Sequence, residues 1–196
     1  MNDLPPVILA STSPHRRLLL DRLQLAYAAI APQVEETAGP GEPPAARALR
    51  LAQAKAAAVA IQHPQAVVIG SDQVASLATA TGTTILHKPG DRDTCRRQLL
   101  AMSGQVVRFD TAVAVRRGRV EMTHLEPTVV RFRNLTPVEI ERYMDREPAF
   151  DCAGGFKCEG LGVSLFHSVE SRDQTALVGL PLIWTCEALR QLGVPV

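Results

Sequence analysis

Asp72, within Gly70-Ser71-Asp72-Gln73, has a setting suited to chemistry. It follows the apolar run Ala66-Val67-Val68-Ile69, so a polar cluster stands where a buried strand is expected to end. In open α/β sheets ligands gather at the carboxyl ends of strands, and an aspartate there can bind a metal, take a proton from water, or do both in sequence. Capping a turn is the plainer use of the same residue. Glu35-Glu36 brings two more carboxylates to the end of another expected strand. If Glu36 faces Asp72, the pair makes a hard oxygen site of the kind magnesium or manganese accepts; otherwise the two glutamates belong to a solvated loop.

Cations complement these carboxylates. Ser11-Thr12-Ser13-Pro14-His15-Arg16-Arg17 falls between an apolar run and a helix start. A helix N-terminus presents unpaired N–H groups and the positive end of its dipole, which suits a phosphate. The hydroxyls of Ser11 and Ser13 and the charge of Arg16 would complete an anion site. Alternatively Ser13 only caps the helix while Arg16 and Arg17 are solvated. There is no Gly-rich P-loop, which excludes a Walker-type ATPase. Lys55 shares a helical line with Leu51 and Val59. A lysine in an apolar stripe needs a partner or an escape for its charge, and spacing alone favours snorkelling to the surface. Lys88, in His87-Lys88-Pro89-Gly90, could equally be a ligand or a solvated turn residue. The Gly-rich run Cys152-Ala153-Gly154-Gly155-Phe156-Lys157-Cys158-Glu159-Gly160 allows close approach of backbone to a ligand, as any irregular loop also does.

The elements that must hold these residues alternate between strand and helix. Val7-Ile8-Leu9-Ala10 is a short apolar run suited to a strand buried on both faces, and Ser13-Pro14 opens a helix over 15–25. A second strand is expected over 27–34, an Ala-rich helix over 45–62, and the clearest buried strand over 66–70. A weaker hairpin covers 74–86 with its turn near Thr81-Gly82, and 91–102 is helical. Strands over 106–115 and 120–133 flank an Arg116-Arg117-Gly118-Arg119 turn. Thr136-Pro137-x-Glu139 has capping-box spacing, a strand covers 163–166, and a last helix follows Gly179-Leu180-Pro181 to about Gln191. This order gives an α/β class with a mixed sheet.

Composition bounds the partners. The chain has 196 residues, enough for one domain or a compact two-lobed one with its own core. Its 21 basic and 20 acidic residues leave a net charge of +1, which argues against a dedicated nucleic-acid binder but not against a small anionic ligand. No apolar run is long enough to span a membrane, and no basic segment precedes the first apolar stretch as a secretory signal would require. The four cysteines form no C-x-x-C pair, so reduced thiols are expected rather than a zinc site.

In combination, these segments are far more specific than any one of them. Leu9-Ala10-Ser11-x-Ser13-Pro14-x-Arg16-Arg17, Glu36, Lys55 in Arg50-Leu51-Ala52-Gln53-Ala54-Lys55-Ala56, Gly70-Ser71-Asp72-Gln73, Lys88-Pro89 and Val178-Gly179-Leu180-Pro181 resemble, in order and spacing, the Maf-like nucleoside triphosphate pyrophosphatases. Gln73 after the aspartate and Glu159 in Cys-Ala-Gly-x-Phe-Lys-x-Glu-Gly resemble the branch of that family acting on 7-methyl-GTP; the branch acting on dTTP and UTP carries Thr and Gln there. Two positions depart from the pattern. His15 stands where the methyl-GTP branch usually has Trp and the pyrimidine branch Arg, and His87 replaces a Gly.

The resemblance implies a single domain over 1–196, with an elongated mixed sheet flanked by helices and two lobes around a central cleft. It also implies a cytoplasmic homodimer that uses a divalent metal, magnesium or manganese; the composition sets the expectation of neither a nucleic-acid nor a membrane partner. Asp72 would be the general base and, with Glu36, would hold or face the metal. Ser11, Ser13, Arg16, Lys55 and Lys88 would bind phosphate oxygens. Substrate binding would further involve Lys157, and the base would be read at His15, Gln73 and Glu159. The competing expectations are a dTTP/UTP-type pyrophosphatase of the same family and a nucleotide-binding regulator of septum formation that would tolerate loss of Asp72.

Overall fold

The computed structural model describes residues 4–80 and 82–196; Thr81, in the expected hairpin turn, lies outside them. The chain forms β1 (Val7–Ala10), α1 (Pro14–Asp21), β2 (Tyr27–Ala29), α2 (Pro44–Ala60), β3 (Val67–Thr79), β4 (Gly82–Leu86) and α3 (Arg92–Met102). It continues through β5 (Val106–Arg117), β6 (Val120–Phe132), α4 (Pro137–Arg146), β7 (Phe166–Glu170), α5 (Thr175–Val178) and α6 (Leu182–Gln191). The seven strands order as β2-β1-β3-β5-β6-β7, with β4 on β3. β1 runs parallel to β2 and β3, while the β3–β4 and β6–β7 pairs are antiparallel. The expected α/β class with a mixed, helix-flanked sheet is therefore the observed one.

The chain divides into two compact units. The first takes the residues up to Gln73 together with Thr111–Glu126 and Asp173–Val196; the second takes Val74–Asp110 and Pro127–Arg172. Three of the four boundaries fall inside β3, β5 and β6, and the fourth lies between β7 and α5.

In the first unit β1 is buried on both faces, which is why its sequence is continuously apolar rather than alternating. Val7 and Leu9 pack with Leu19, Leu20, Leu180 and Leu189, while Ile8 and Ala10 pack with Val59 and Ala60 of α2. The small residues of α2 bring its backbone close to β3. A Cβ added at Gly70 would lie 2.4 Å from the Ala52 carbonyl oxygen and 2.5 Å from the Ala56 nitrogen, so this contact requires glycine. In the second unit α3 packs on α4, with Arg92 and Arg96 both paired to Glu141. Phe109, Phe132, Phe156 and Phe166 meet edge to face as its aromatic core.

Several expected boundaries move. α1 stops at Asp21, short of 25, and Gln24 follows in the left-handed region at φ 54°. β2 ends at Ala29 instead of 34, because β1, its one neighbour in the sheet among the described residues, ends at Ala10. β3 does not end at Gly70 but runs unbroken to Thr79, since the polar residues after Gly70 find partners inside the fold. Residues 161–165 form a 3-10 turn, and the strand placed there begins only at Phe166. Helix α5 was not anticipated.

Candidate active site

The first unit holds Glu36, Lys55 and Asp72, with Ser11, Ser13 and Arg16 at the start of α1. Asp72 lies within β3, just past the last β1–β3 pairing at Ala10 and Gly70, and not at a strand end. Strand alternation sends Ser71 and Gln73 to one face and Asp72 to the other. Ser71 Oγ lies 2.8 Å from both the Ala112 and Gly179 carbonyl oxygens. The Gln73 amide nitrogen donates to Thr111 Oγ1 (2.9 Å), the Ala176 oxygen (3.0 Å) and the Leu177 oxygen (3.1 Å). Both neighbours of Asp72 are thereby tied down, with Gln73 keeping only its carbonyl oxygen for any ligand.

On the other face, Lys55 Nζ donates to Asp72 Oδ1 at 2.6 Å and meets Glu36 Oε1 at 2.6 Å. Lys55 is buried, so snorkelling is not how its charge is accommodated: the close approach at Gly70 brings α2 near enough to β3 for Asp72 to neutralise it. Glu36 is exposed and Asp72 is buried, so one carboxylate of the pair is wet and the other is not. Asp72 Oδ2 has no protein partner among the described residues and is positioned to accept a proton. Carboxylates converging on one cation are also the donor set that a hard divalent ion takes, so these residues fit such a metal.

At the start of α1, Ser13 caps the helix by accepting from the Arg16 backbone N–H, the plainer of its expected roles. Ser11 Oγ accepts from the Ser13 N–H at 3.1 Å. Arg16, by contrast, is not solvated at large. Its Nε donates to the Gly179 oxygen at 2.9 Å and its Nη1 reaches Ser11 Oγ at 3.5 Å. Burial pulls its pKa down from the ordinary value, opposed by the nearby charges of Asp72 and Glu36. His15 sits half-buried on the first turn of the same helix.

The second unit holds Lys88, Lys157 and Glu159, and it brings together segments far apart in sequence. Gly154 N–H donates to the His87 oxygen at 3.4 Å and Gly90 N–H to the Phe150 oxygen at 2.9 Å, binding the Lys88 loop to the Gly-rich run on one side of the lysine and to Phe150, just before that run, on the other. Lys157 is fixed through its backbone N–H, which donates to the Tyr143 hydroxyl at 3.2 Å. The ammonium groups of Lys88 and Lys157 have no hydrogen-bond or ion-pair partner among the described residues. Cys158 Sγ lies 3.5 Å from Glu159 Oε2. Burial, reinforced by the Glu159 charge, pushes the Cys158 thiol up to about 12, so it stays protonated and can donate to that carboxylate. All four cysteines are free thiols, as expected.

Asp173, Thr175 and Thr111 also belong to the first-unit framework, and no motif or spacing in the sequence marks them.

A family model described as "Maf-like protein" matches residues 6–192. A protein of Xanthomonas axonopodis pv. citri named 7-methyl-GTP pyrophosphatase is 56% identical over 190 residues, covering 97% of this chain and 98% of its own. Relatives bearing the same name in Polaromonas sp. and Alcanivorax borkumensis are 51% and 48% identical, covering 96% and 97% of this chain and 85% and 95% of their own.

Proposed function

This chain belongs to the Maf-like family, and on that footing we propose that it hydrolyses 7-methyl-GTP to the monophosphate and pyrophosphate. The observation that carries the chemistry is the buried Lys55–Asp72 pair, with Asp72 Oδ2 left unbonded among the described residues beside the charge of Arg16. In the proposed reaction a water oxygen attacks the α-phosphorus and passes a proton to Asp72 Oδ2. The bond from the α-phosphorus to the bridging oxygen then breaks and pyrophosphate leaves. General-base help of this kind is worth about 10²–10⁴ in rate, and the larger share falls to positioning and charge stabilisation. Ser11, Ser13, Arg16, Lys55 and Lys88 are the proposed holders of the phosphate oxygens. A divalent ion, magnesium or manganese, would be held by Glu36 and Asp72 and would supply charge neutralisation at the phosphates.

Base recognition is assigned to Glu159, with His15, Gln73 and Lys157 in support. Guanine offers N1–H and the 2-amino group side by side, a donor pair that one carboxylate accepts through both oxygens. Methylation at N7 puts positive charge on the ring, which strengthens that contact and favours stacking on an aromatic face. His15 is a smaller platform than the Trp usual in this branch. The proposal extends to a cytoplasmic homodimer; among the described residues no helix is long and apolar enough to cross a membrane.

The test is a panel of 7-methyl-GTP, GTP, dTTP and UTP with magnesium or manganese, products followed by phosphorus NMR in heavy-oxygen water. Pyrophosphate should be released, with the label on the monophosphate and 7-methyl-GTP preferred. Glu159→Gln should erase that preference and His15→Trp keep or sharpen it. Orthophosphate release would overturn the reaction type, and an unchanged ranking in Glu159→Gln would overturn the base assignment.

A further inference from the structure

The Val178-Gly179-Leu180-Pro181 segment contacts the site through one backbone atom. The Gly179 carbonyl oxygen accepts from Arg16 Nε at 2.9 Å and from Ser71 Oγ at 2.8 Å. Gly179 has φ 124°, a conformation that side chains disfavour, and a Cβ there would stand 3.4 Å from Arg16 Nε. Where that carbonyl points is decided by the residues around it. Asp173 Oδ1 accepts from the Thr175 N–H at 2.9 Å, and its Oδ2 accepts from the Ile183 N–H at 2.7 Å, so one buried carboxylate ties the start of α5 to the start of α6. Thr175 Oγ1 lies 2.6 Å from Asp173 Oδ1 and 2.8 Å from the Leu180 oxygen, sharing its proton between them, and accepts from the Leu182 N–H at 2.8 Å. These bonds close the loop between α5 and α6 from both ends.

A guanidinium is planar, so holding Nε sets the plane of the whole fork. With Nε on Gly179, the Nη groups of Arg16 keep one long contact, to Ser11 Oγ, among the described residues. We infer that Asp173 and Thr175 are positioning residues: through the Gly179 carbonyl they fix the plane of the Arg16 guanidinium so that its Nη edge is presented to an anionic oxygen of the substrate. That the anion is a nucleotide phosphate rests on the function proposed above; the aiming of Arg16 does not.

Two measurements separate these claims. In nitrogen-15-labelled protein the Arg16 Nε–H resonance, identified by its loss in Arg16→Lys, should be protected from exchange in wild type and in Thr175→Ser. In Thr175→Val it should exchange faster by about tenfold or more. In activity, Arg16→Ala should lower kcat/KM by about 100-fold and Thr175→Val by about tenfold, Thr175→Ser recovering most of the loss. The double variant should match Arg16→Ala within about twofold, because both changes act through one group. Asp173→Asn, which keeps one acceptor oxygen and the residue's shape, takes the same place in the cycle if Thr175→Val does not fold. Unchanged protection in folded Thr175→Val, or in Asp173→Asn where it takes that place, overturns the proposal, as does a double variant whose losses multiply. Loss of protection alongside an Arg16→Ala protein that turns over normally upholds the positioning and overturns only the phosphate role of Arg16.

Discussion

Asp72 combines two demands that usually conflict. A buried carboxylate needs a cation to stay ionised, whereas a proton acceptor needs a free lone pair. The two oxygens divide the work: Oδ1 is bonded to Lys55 and Oδ2 has no protein partner among the described residues. Asp72→Asn keeps the shape and still offers an oxygen to Lys55, but an amide cannot take a proton from water. We therefore expect the variant to fold normally and to keep less than about a tenth of wild-type kcat, in line with the loss of a general base. Circular dichroism and single-turnover kinetics check the two halves of that statement, and near-normal turnover would remove Asp72 from its proposed role. The sequence singled out Asp72 as an aspartate at a strand end, yet it stands inside a continuous strand. Polar residues in mid-strand are indistinguishable from a strand terminus until their partners are known, and those partners, at Thr111, Ala112, Ala176 and Gly179, are remote in the chain.

At the scale of elements, the Lys55–Asp72 distance is a consequence of how closely α2 lies on β3. The Ala-rich sequence of α2 was legible as a helix, and the burial of Leu51 and Val59 followed from its periodicity. The burial of Lys55 did not follow, because helical spacing gives a direction and not the depth at which a neighbouring strand supplies a carboxylate. Gly70 sets that depth. Gly70→Ala would place a Cβ against α2 backbone at Ala52 and Ala56, which cannot move as a flexible side chain would. We expect the helix to be pushed out, with a stability loss of about 1–3 kcal/mol from overpacking. The Lys55–Asp72 bond should lengthen with it, so kcat should fall by more than Tm alone would suggest. Chemical denaturation and kinetics at a temperature well below the transition would separate the two effects; a folded Gly70→Ala protein with wild-type kcat would show that the approach of α2 is not what aligns the pair. The short α5 was missed for a related reason. A helix of 4 residues has too little periodicity to register, and its N-cap, Gln174, makes no side-chain capping bond.

Across the whole molecule, pH bears on stability through paired carboxylates at the surface. Glu42 in the first unit and Glu139 and Glu141 in the second are each held at about 2, against an ordinary value of 4.5. For Glu42 the main cause is hydrogen bonding from Arg50; for Glu139 it is the backbone N–H of Thr136 in the α4 capping box; for Glu141 it is Arg96, then Arg92. In each case the folded protein binds its proton less tightly than the unfolded chain does. Their contribution to stability is therefore complete above the unfolded value and is lost as pH falls through the folded one. The denaturant midpoint should accordingly hold steady down to about pH 4.5 and decline between there and about pH 2. All three groups are in contact with solvent, so the decline should be gradual and should shrink at high salt, where surface pairs are screened. Glu141→Gln removes the carboxylate that joins α4 to both Arg92 and Arg96 of α3. That variant should start less stable at neutral pH and lose less on acidification, its curve converging with wild type near pH 2. Parallel curves for the two proteins across this range would show that the Glu141 pairing adds nothing in solution, and that the acid limit of the fold is set elsewhere.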